Sequence, residues 1–364
     1  MWRRGAVETK NVAAQSVEGE RNMKTTEMGH EIQHPYAFNV SGPRNVPSIN
    51  WRDLINWRDL INSTWKDANY KRTVMACFIQ AVYLLELDTQ ENRTLAPKWW
   101  KPFKYKLVQS LIDERDGSIF GAVFEWDRAA ALQDLVVMKP SGAPRAVLAL
   151  RGTLLKTPTM RRDIQDDLRF LAWESLKGSV RFSTALTALS CLSQKHGAAN
   201  VCIAGHSLGA GFALQVGKEL AKRGVFVEAH LFNPPSVSLA SSLKSVGEKA
   251  GVAWRRLKCM IPMRGGGDVD ASRSAEMEMK QVLWMPLLYV NNSDYICCYY
   301  SDGGGAELSG GGAKVFVAAK GKQSFVEAHG LEQWWSDDLE VEMAINNSKL
   351  ISRQLHSLYN LSPS

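Results

Sequence analysis

Val201-Cys-Ile-Ala-Gly205-His206-Ser207-Leu208-Gly209-Ala210 is the stretch that decides how this chain is read. Its first four residues form an apolar run, and Ala210 to Arg223 reads as helix. A buried strand, a sharp turn with serine at its apex and then a helix is the setting in which G-x-S-x-G forms a nucleophile elbow. Gly205, His206 and Gly209 make up the elbow around Ser207; the two glycines are required because a side chain at either would collide with neighbouring backbone. A helix starting at Leu208 aims its first N–H groups and its positive end at an anion formed on Ser207. In a chain with 28 glycines the five letters alone are a weak signal, and an ordinary glycine-rich turn would share them. The strand and helix around them make the case.

Outward from the elbow, apolar strands alternate with helices. Asn69–Asn92 reads as a helix, with Val74, Cys77, Phe78, Ala81, Val82 and Leu85 along one face. Ser118–Asp127 and Gln133–Lys139 read as strands around a short connection, and Arg145–Leu150 as another. Helices are expected over Arg161–Leu176 and Ser179–His196, and strands over Val225–Phe232, Pro286–Val290 and Lys314–Ala319. Leu331 to about Leu358 reads as mostly helical. This rhythm predicts an α/β fold with a mostly parallel central sheet flanked by helices. Residues 1–45 are polar and aperiodic, which predicts a disordered segment, and 46–364 a single domain. Two glycine-rich stretches, 262–281 and 302–313, read as mobile surface insertions. The tandem hexapeptide Trp51–Asn56 and Trp57–Asn62 is too short to build a repeat architecture and reads as a local duplication.

Composition narrows the function classes. The formal charge is +7, but it is scattered, so a nucleic-acid partner is not expected. Lys98–Lys106 and Arg161-Arg162 read as solvated faces; weak attraction of this charge to an anionic membrane surface is the minority reading. No run approaches the 18 apolar residues of a membrane-spanning helix. Met1–Lys10 has positive charge without an apolar stretch behind it, so a secretory signal is not expected. An intracellular, cytoplasmic location with reduced thiols is the corresponding expectation. The six cysteines show no metal-ligand spacing, so neither a metal nor another cofactor is expected. Cys191 and Cys202 read as buried thiols, and the adjacent Cys297 and Cys298 as poorly placed for a mutual disulfide.

A serine hydroxyl needs a base and a carboxylate to orient that base. In α/β-hydrolases the chain order is Ser, acid, His. Only His230, His329 and His356 follow Ser207. His230 lies inside a strand just after the elbow helix, with little room for an acid before it, and His356 lies in the terminal helical stretch. His329 follows Lys314–Ala319, taken as the last strand, in an expected loop, so it is the candidate base. Asp294 follows the strand Pro286–Val290 and is the candidate acid. Asp268, Asp270 and Asp302 sit in the glycine-rich stretches without rigid support. The oxyanion donors are expected to be the N–H groups of Leu208 and of Thr153, the latter in Arg151-Gly152-Thr153 after a strand.

These motifs together resemble the class 3 lipase branch of the α/β-hydrolases: Leu150-Arg-Gly-Thr153, Asp163–Leu168, Gly205–Gly209, Asn292-Ser-Asp294 and Ala328-His329. More closely, the chain is similar to a group of plant α/β-hydrolases often labelled GDSL esterase/lipase. His34–Pro43, Trp99–Phe103, Leu168–Gly178 and Glu332–Asp338 carry that similarity, and no Gly-Asp-Ser-Leu motif occurs. The resemblance implies an α/β-hydrolase fold, a role for Thr153 in the oxyanion hole, and hydrolysis of carboxylic esters. Asn233-Pro-Pro stands where the wider class has Gly-x-Pro, and the segment after Thr153 is short for a lid.

The expectation is therefore a serine esterase or lipase acting on a small-molecule ester or lipid through Ser207, Asp294 and His329. A catalytically weak member that binds ligands or acts as a scaffold is the alternative. Trp99-Trp100 or Trp334-Trp335 lining an aromatic acyl cleft is set against plain core packing.

Overall fold

The computed structural model describes residues 65–133, 139–154, 179–236, 284–301, 313–318, 323–335 and 341–344, with Gly321, Ile351 and Leu355. The expected segments 1–45, Trp51–Asn62, Arg161–Leu176 and 262–281 lie outside these residues. So do residues 302–312, His356, Asp268 and Asp270.

The described elements run α1 (Ala68–Gln90), β1 (Tyr105–Ile112), β2 (Ile119–Trp126), α2 (Arg128–Gln133) and β3 (Ala146–Leu150). Then follow α3 (Val180–His196), β4 (Val201–His206), α4 (Leu208–Lys222), β5 (Glu228–Phe232) and β6 (Leu287–Asn291). The described elements close with β7 (Lys314–Ala318), α5 (Phe325–His329) and β8 (Val341–Ala344). The eight strands form one sheet in sequence order. β3 to β7 pair in parallel, while β1–β2, β2–β3 and β7–β8 pair antiparallel. This is the α/β-hydrolase fold.

Period-2 alternation explains how both faces of the parallel strands are buried. Leu148 and Leu150 of β3, Val201 and Ile203 of β4, Leu231 of β5 and Val290 of β6 face the layer built by α3 and α4. Their neighbours Val147, Ala149, Cys202, Ala204, Phe232 and Tyr289 face the layer built by α1 and the 3₁₀ turn Leu331–Trp335. Near-continuous apolar strands are what a sheet covered on both sides requires. The helices are bounded by specific caps. Asp67 accepts from the Asn69 amide at α1, and Ser179 accepts from Phe182 at α3, which ends at Gly197 with φ 82°.

Several expectations need correction. Gln133 ends helix α2 rather than opening a strand; residues 134–138 lie outside the described residues. The antiparallel partner at the outer edge of β2 is instead β1, which begins inside the lysine-rich stretch. Lys106 there is exposed while Trp100, Phe103 and Tyr105 are buried, so a solvated face and a strand coexist. The strand expected from Val225 starts at Glu228. After Leu331 the described residues hold the 3₁₀ turn Leu331–Trp335, helical Ile351 and Leu355, and β8, which pairs with β7, so β7 is not the last strand. Cys191 is exposed, because the buried stripe of α3 runs through Phe182, Ala185, Leu189 and Leu192 and misses it. Cys202 and Cys297 are buried, and Cys298 is half-buried.

Candidate active site

The carboxyl ends of β3, β4, β5 and β6 lead directly into Arg151–Thr153, Ser207, Asn233 and the turn holding Asp294. A parallel sheet gathers the residues after its strands along one edge, which is where such folds build sites. Ser207 caps α4 with φ 53° and ψ −124°, a backbone region that side chains rarely adopt. Its amide donates to the Phe232 carbonyl at 2.9 Å, anchoring the turn to β5. A Cβ on Gly205 would strike the backbone of Gly209 and Ala210, and one on Gly209 would lie 2.5 Å from the Leu150 carbonyl oxygen. The elbow closes only with glycine at both positions.

His329 is buried at the end of α5, a short helix rather than the expected loop, fixed at its start by a Ser324–Glu327 capping box. Ser207 Oγ lies 2.9 Å from His329 Nε2, and His329 Nδ1 lies 2.9 Å from Asp294 Oδ2. A carboxylate can only accept, so Nδ1 carries the proton and Nε2 presents its lone pair to the Ser207 hydroxyl. Asp294 is fully buried. Burial pushes its pKa up, but the electrostatic interaction with His329 and hydrogen bonds from His329, the Ile296 amide and Asn233 outweigh it, leaving the group below its ordinary value.

Residues without a sequence motif build the support. Asn233, at φ 46°, donates from Nδ2 to Asp294 Oδ2 at 2.7 Å and to the Ala328 carbonyl at 3.0 Å. Its Oδ1 accepts from the Trp334 indole at 2.6 Å. The Cys297 thiol lies 3.1 Å from the same Asp294 oxygen, and burial pushes its pKa well up, so it remains a thiol. Gln333 Nε2 donates to the carbonyls of Ala328 and Gly330, while its Oε1 accepts from Asn291. Asn233 stands at the unusual Asn-Pro-Pro, which is the one sequence signal that could have pointed to it.

On the other side of Ser207, Gly152 approaches so closely that a Cβ there would lie 2.8 Å from Ser207 Cβ. Arg151 is buried and holds this loop. Nε donates to the Ile119 carbonyl, Nη1 donates to the Gly152 carbonyl at 2.7 Å, and Nη2 lies 3.5 Å from buried Glu86. The Gly152 amide donates to Tyr83 Oη at 2.7 Å. Thr153 follows directly, and Leu208 opens α4, where a first-turn amide has no partner within the helix.

Of the two tryptophan pairs, Trp99 is half-buried and packs against the core cluster. Trp100, Trp334 and Trp335 are core residues, and Trp334 acts from behind through Asn233. A groove of about 530 Å³ between β1, β2 and α3 shares no lining residue with this site. His230 lies elsewhere on β5, between Glu228 and Tyr289. Among the described residues, Cys202, Glu228 and His230 are the one group whose donor atoms converge as metal ligands would. Lys71 already neutralises Glu228 at 3.0 Å, and burial pushes the Cys202 thiol well up, so the group fits a satisfied polar cluster better than a metal.

An α/β-hydrolase fold with a strained serine at its elbow, hydrogen-bonded through a histidine to a buried aspartate, is the class this chain presents. No family model matches it. An Arabidopsis thaliana protein named GDSL esterase/lipase is 27% identical, over 86% of this chain and 98% of that protein. The solved structure of a lipase from Rhizopus microsporus var. chinensis superposes with a TM-score of 0.36 at 10% identity, covering 81% of this chain and 84% of that one. No helix among the described residues is long and apolar enough to cross a membrane.

Proposed function

We propose that this protein is a serine hydrolase of carboxylic esters. The observation that carries the reading is the continuous chain Ser207 Oγ, His329 Nε2, His329 Nδ1, Asp294 Oδ2, with 2.9 Å at each contact. Ser207 attacks the acyl carbonyl while His329 Nε2 takes its proton. Asp294 holds the histidine in the required tautomer and stabilises the imidazolium. The amides of Leu208 and Thr153 bind the oxyanion as it forms. His329 then protonates the leaving alcohol, and a water molecule activated by the same histidine releases the acyl group. The esterase/lipase name of the Arabidopsis relative supports this class of reaction, and lipid esters are the finer reading of the substrate. The motif resemblance favours the class 3 lipase branch. The scattered positive charge fits transient contact with an anionic lipid surface in the cytoplasm.

The test is labelling by a fluorophosphonate probe, with turnover of p-nitrophenyl acyl esters and glycerolipids by purified protein. Adduct formation on Ser207, lost in Ser207→Ala together with turnover, is the expected result. A protein that neither labels nor hydrolyses any ester, or a Ser207→Ala variant with undiminished turnover, overturns the proposal.

A further inference from the structure

His206 precedes the nucleophile and is buried, with its ring centroid 5.2 Å from that of His329. Its Nε2 lies 2.8 Å from the His329 backbone carbonyl oxygen. Its Nδ1 lies 2.8 Å from Tyr83 Oη, the same oxygen that accepts from the Gly152 amide. The directions of these bonds are forced. A carbonyl only accepts, so Nε2 carries the proton. A neutral imidazole then accepts at Nδ1, and Tyr83 must donate to it. Burial keeps the phenol protonated. One directed chain therefore runs from the Gly152 N–H, through the Tyr83 hydroxyl and the His206 ring, to the carbonyl of His329. It joins the loop after β3, helix α1, the elbow and helix α5.

We propose that Tyr83 and His206 are positioning residues that fix the oxyanion loop and the base helix at a set separation across Ser207. The inference rests on the ester-hydrolase reading above. Tyr83 is the only link of the chain outside the motif-bearing segments, and it sits 123 residues from His206. Without its hydroxyl the Gly152 amide loses its acceptor and His206 Nδ1 its donor, so the loop and the elbow are free to drift. Misplacement by a fraction of an ångström slows the chemical step more than it weakens binding. His206 and His329 also require opposite tautomers, Nε2–H and Nδ1–H, although the two rings are neighbours.

The experiment uses the full-length chain. Fluorophosphonate titration counts competent serines, and kcat and KM are measured per competent site for wild type, Tyr83→Phe, His206→Leu and His206→Gln. For Tyr83→Phe, kcat is expected to fall by about 10- to 100-fold with KM changed less than about twofold. His206→Gln, whose amide keeps one acceptor and one donor, is expected to retain more kcat than His206→Leu. A purely structural role would reduce the number of competent sites and leave kcat per site alone. That result, or Tyr83→Phe at wild-type kcat, overturns the proposal. Should the variants not fold, ¹⁵N NMR of histidine-labelled wild type at pH 7 decides. The Nε2–H form of His206 supports the chain, and the Nδ1–H form overturns it. Wild type that neither labels nor turns over sinks the ester-hydrolase reading and this inference together; an active wild type with Tyr83→Phe at undiminished kcat sinks the inference alone.

Discussion

Asn233 Nδ2 donates to Asp294 Oδ2 at 2.7 Å from a backbone held in the left-handed region. The same amide reaches the Ala328 carbonyl, so one buried side chain ties the orienting carboxylate to the helix that carries His329. Asparagine and aspartate both tolerate that backbone conformation, which makes Asn233→Asp a clean substitution. It replaces a donor with a second carboxylate beside Asp294, where two like charges cannot both stay ionised cheaply. Asn233→Asp is expected to lower kcat by at least about tenfold and to lower the melting temperature. Steady-state kinetics with thermal unfolding checks this; wild-type kcat would show that Asp294 needs no help from Asn233.

Ser207 occupies a conformation natural to glycine, with φ 53°. Ser207→Gly and Ser207→Ala both remove the hydroxyl and should both abolish ester hydrolysis. They differ in strain: relief of about 1–3 kcal/mol in the glycine variant exceeds its added unfolded-state entropy of about 0.5–1 kcal/mol. Urea unfolding should find the glycine variant more stable than the alanine variant by about 1 kcal/mol. The opposite order would mean that the elbow is relaxed.

Asp294→Asn keeps the shape of the side chain but favours the wrong tautomer of His329. In a protease with the same three groups the equivalent change costs about 10⁴ in kcat, and a loss of that order is expected here. Active-site titration alongside the kinetics separates a tautomer effect from misfolding.

Arg151 and Glu86 are both almost fully buried, with 3.5 Å between their charged groups. Arg151→Ala leaves Glu86 buried and without its cation, at an expected cost of about 3–5 kcal/mol. The double substitution Arg151→Met with Glu86→Gln should be less damaging than Arg151→Ala alone. Chemical denaturation of the single and double variants tests the sign of this coupling.

Stability should fall with acid in two overlapping ranges. Burial, followed by the nearby His329, holds the His206 pKa down from 6.5 to about 3. Tyr83 on α1, His329 on α5 and Asp294 are the titratable groups around it. Between those two values the unfolded chain binds the proton and the folded one does not, so stability is full above 6.5 and drains as pH falls toward 3. Glu228 adds to the loss at lower pH. Burial raises its pKa, but His230 and Lys71 outweigh this and bring it from 4.5 down to about 2. Unfolding free energy against pH should therefore slope upward from pH 3 to 6.5 in wild type, and less steeply in His206→Gln. Equal slopes would show that His206 titrates normally.

What was legible in the chain was what local order encodes. Ser207 stands at a strand–turn–helix junction, and Asp294 and His329 follow recognisable apolar strands, so proximity to strand ends was enough to nominate them. β1 was hidden because exposed Lys106 stands between Tyr105 and Leu107 on an edge strand that follows a run of lysines, so the pattern reads as charge. β8 was hidden because four residues of Val-Glu-Met-Ala carry too little periodicity to stand against a helical reading.

The sequence by itself determined the alternation of strands and helices, the elbow and the three residues that meet there. Only the tertiary structure decided that Asn233 holds Asp294, that Arg151 pins the Gly152 loop against Glu86, and that Tyr83 links that loop to His206. The physical reason is that a buried polar group must find a partner, and the partner is selected by position in space rather than by neighbourhood in the chain. Tyr83 and His206 lie 123 residues apart, Asn233 and Asp294 61, and neither pair leaves a spacing that a motif could record.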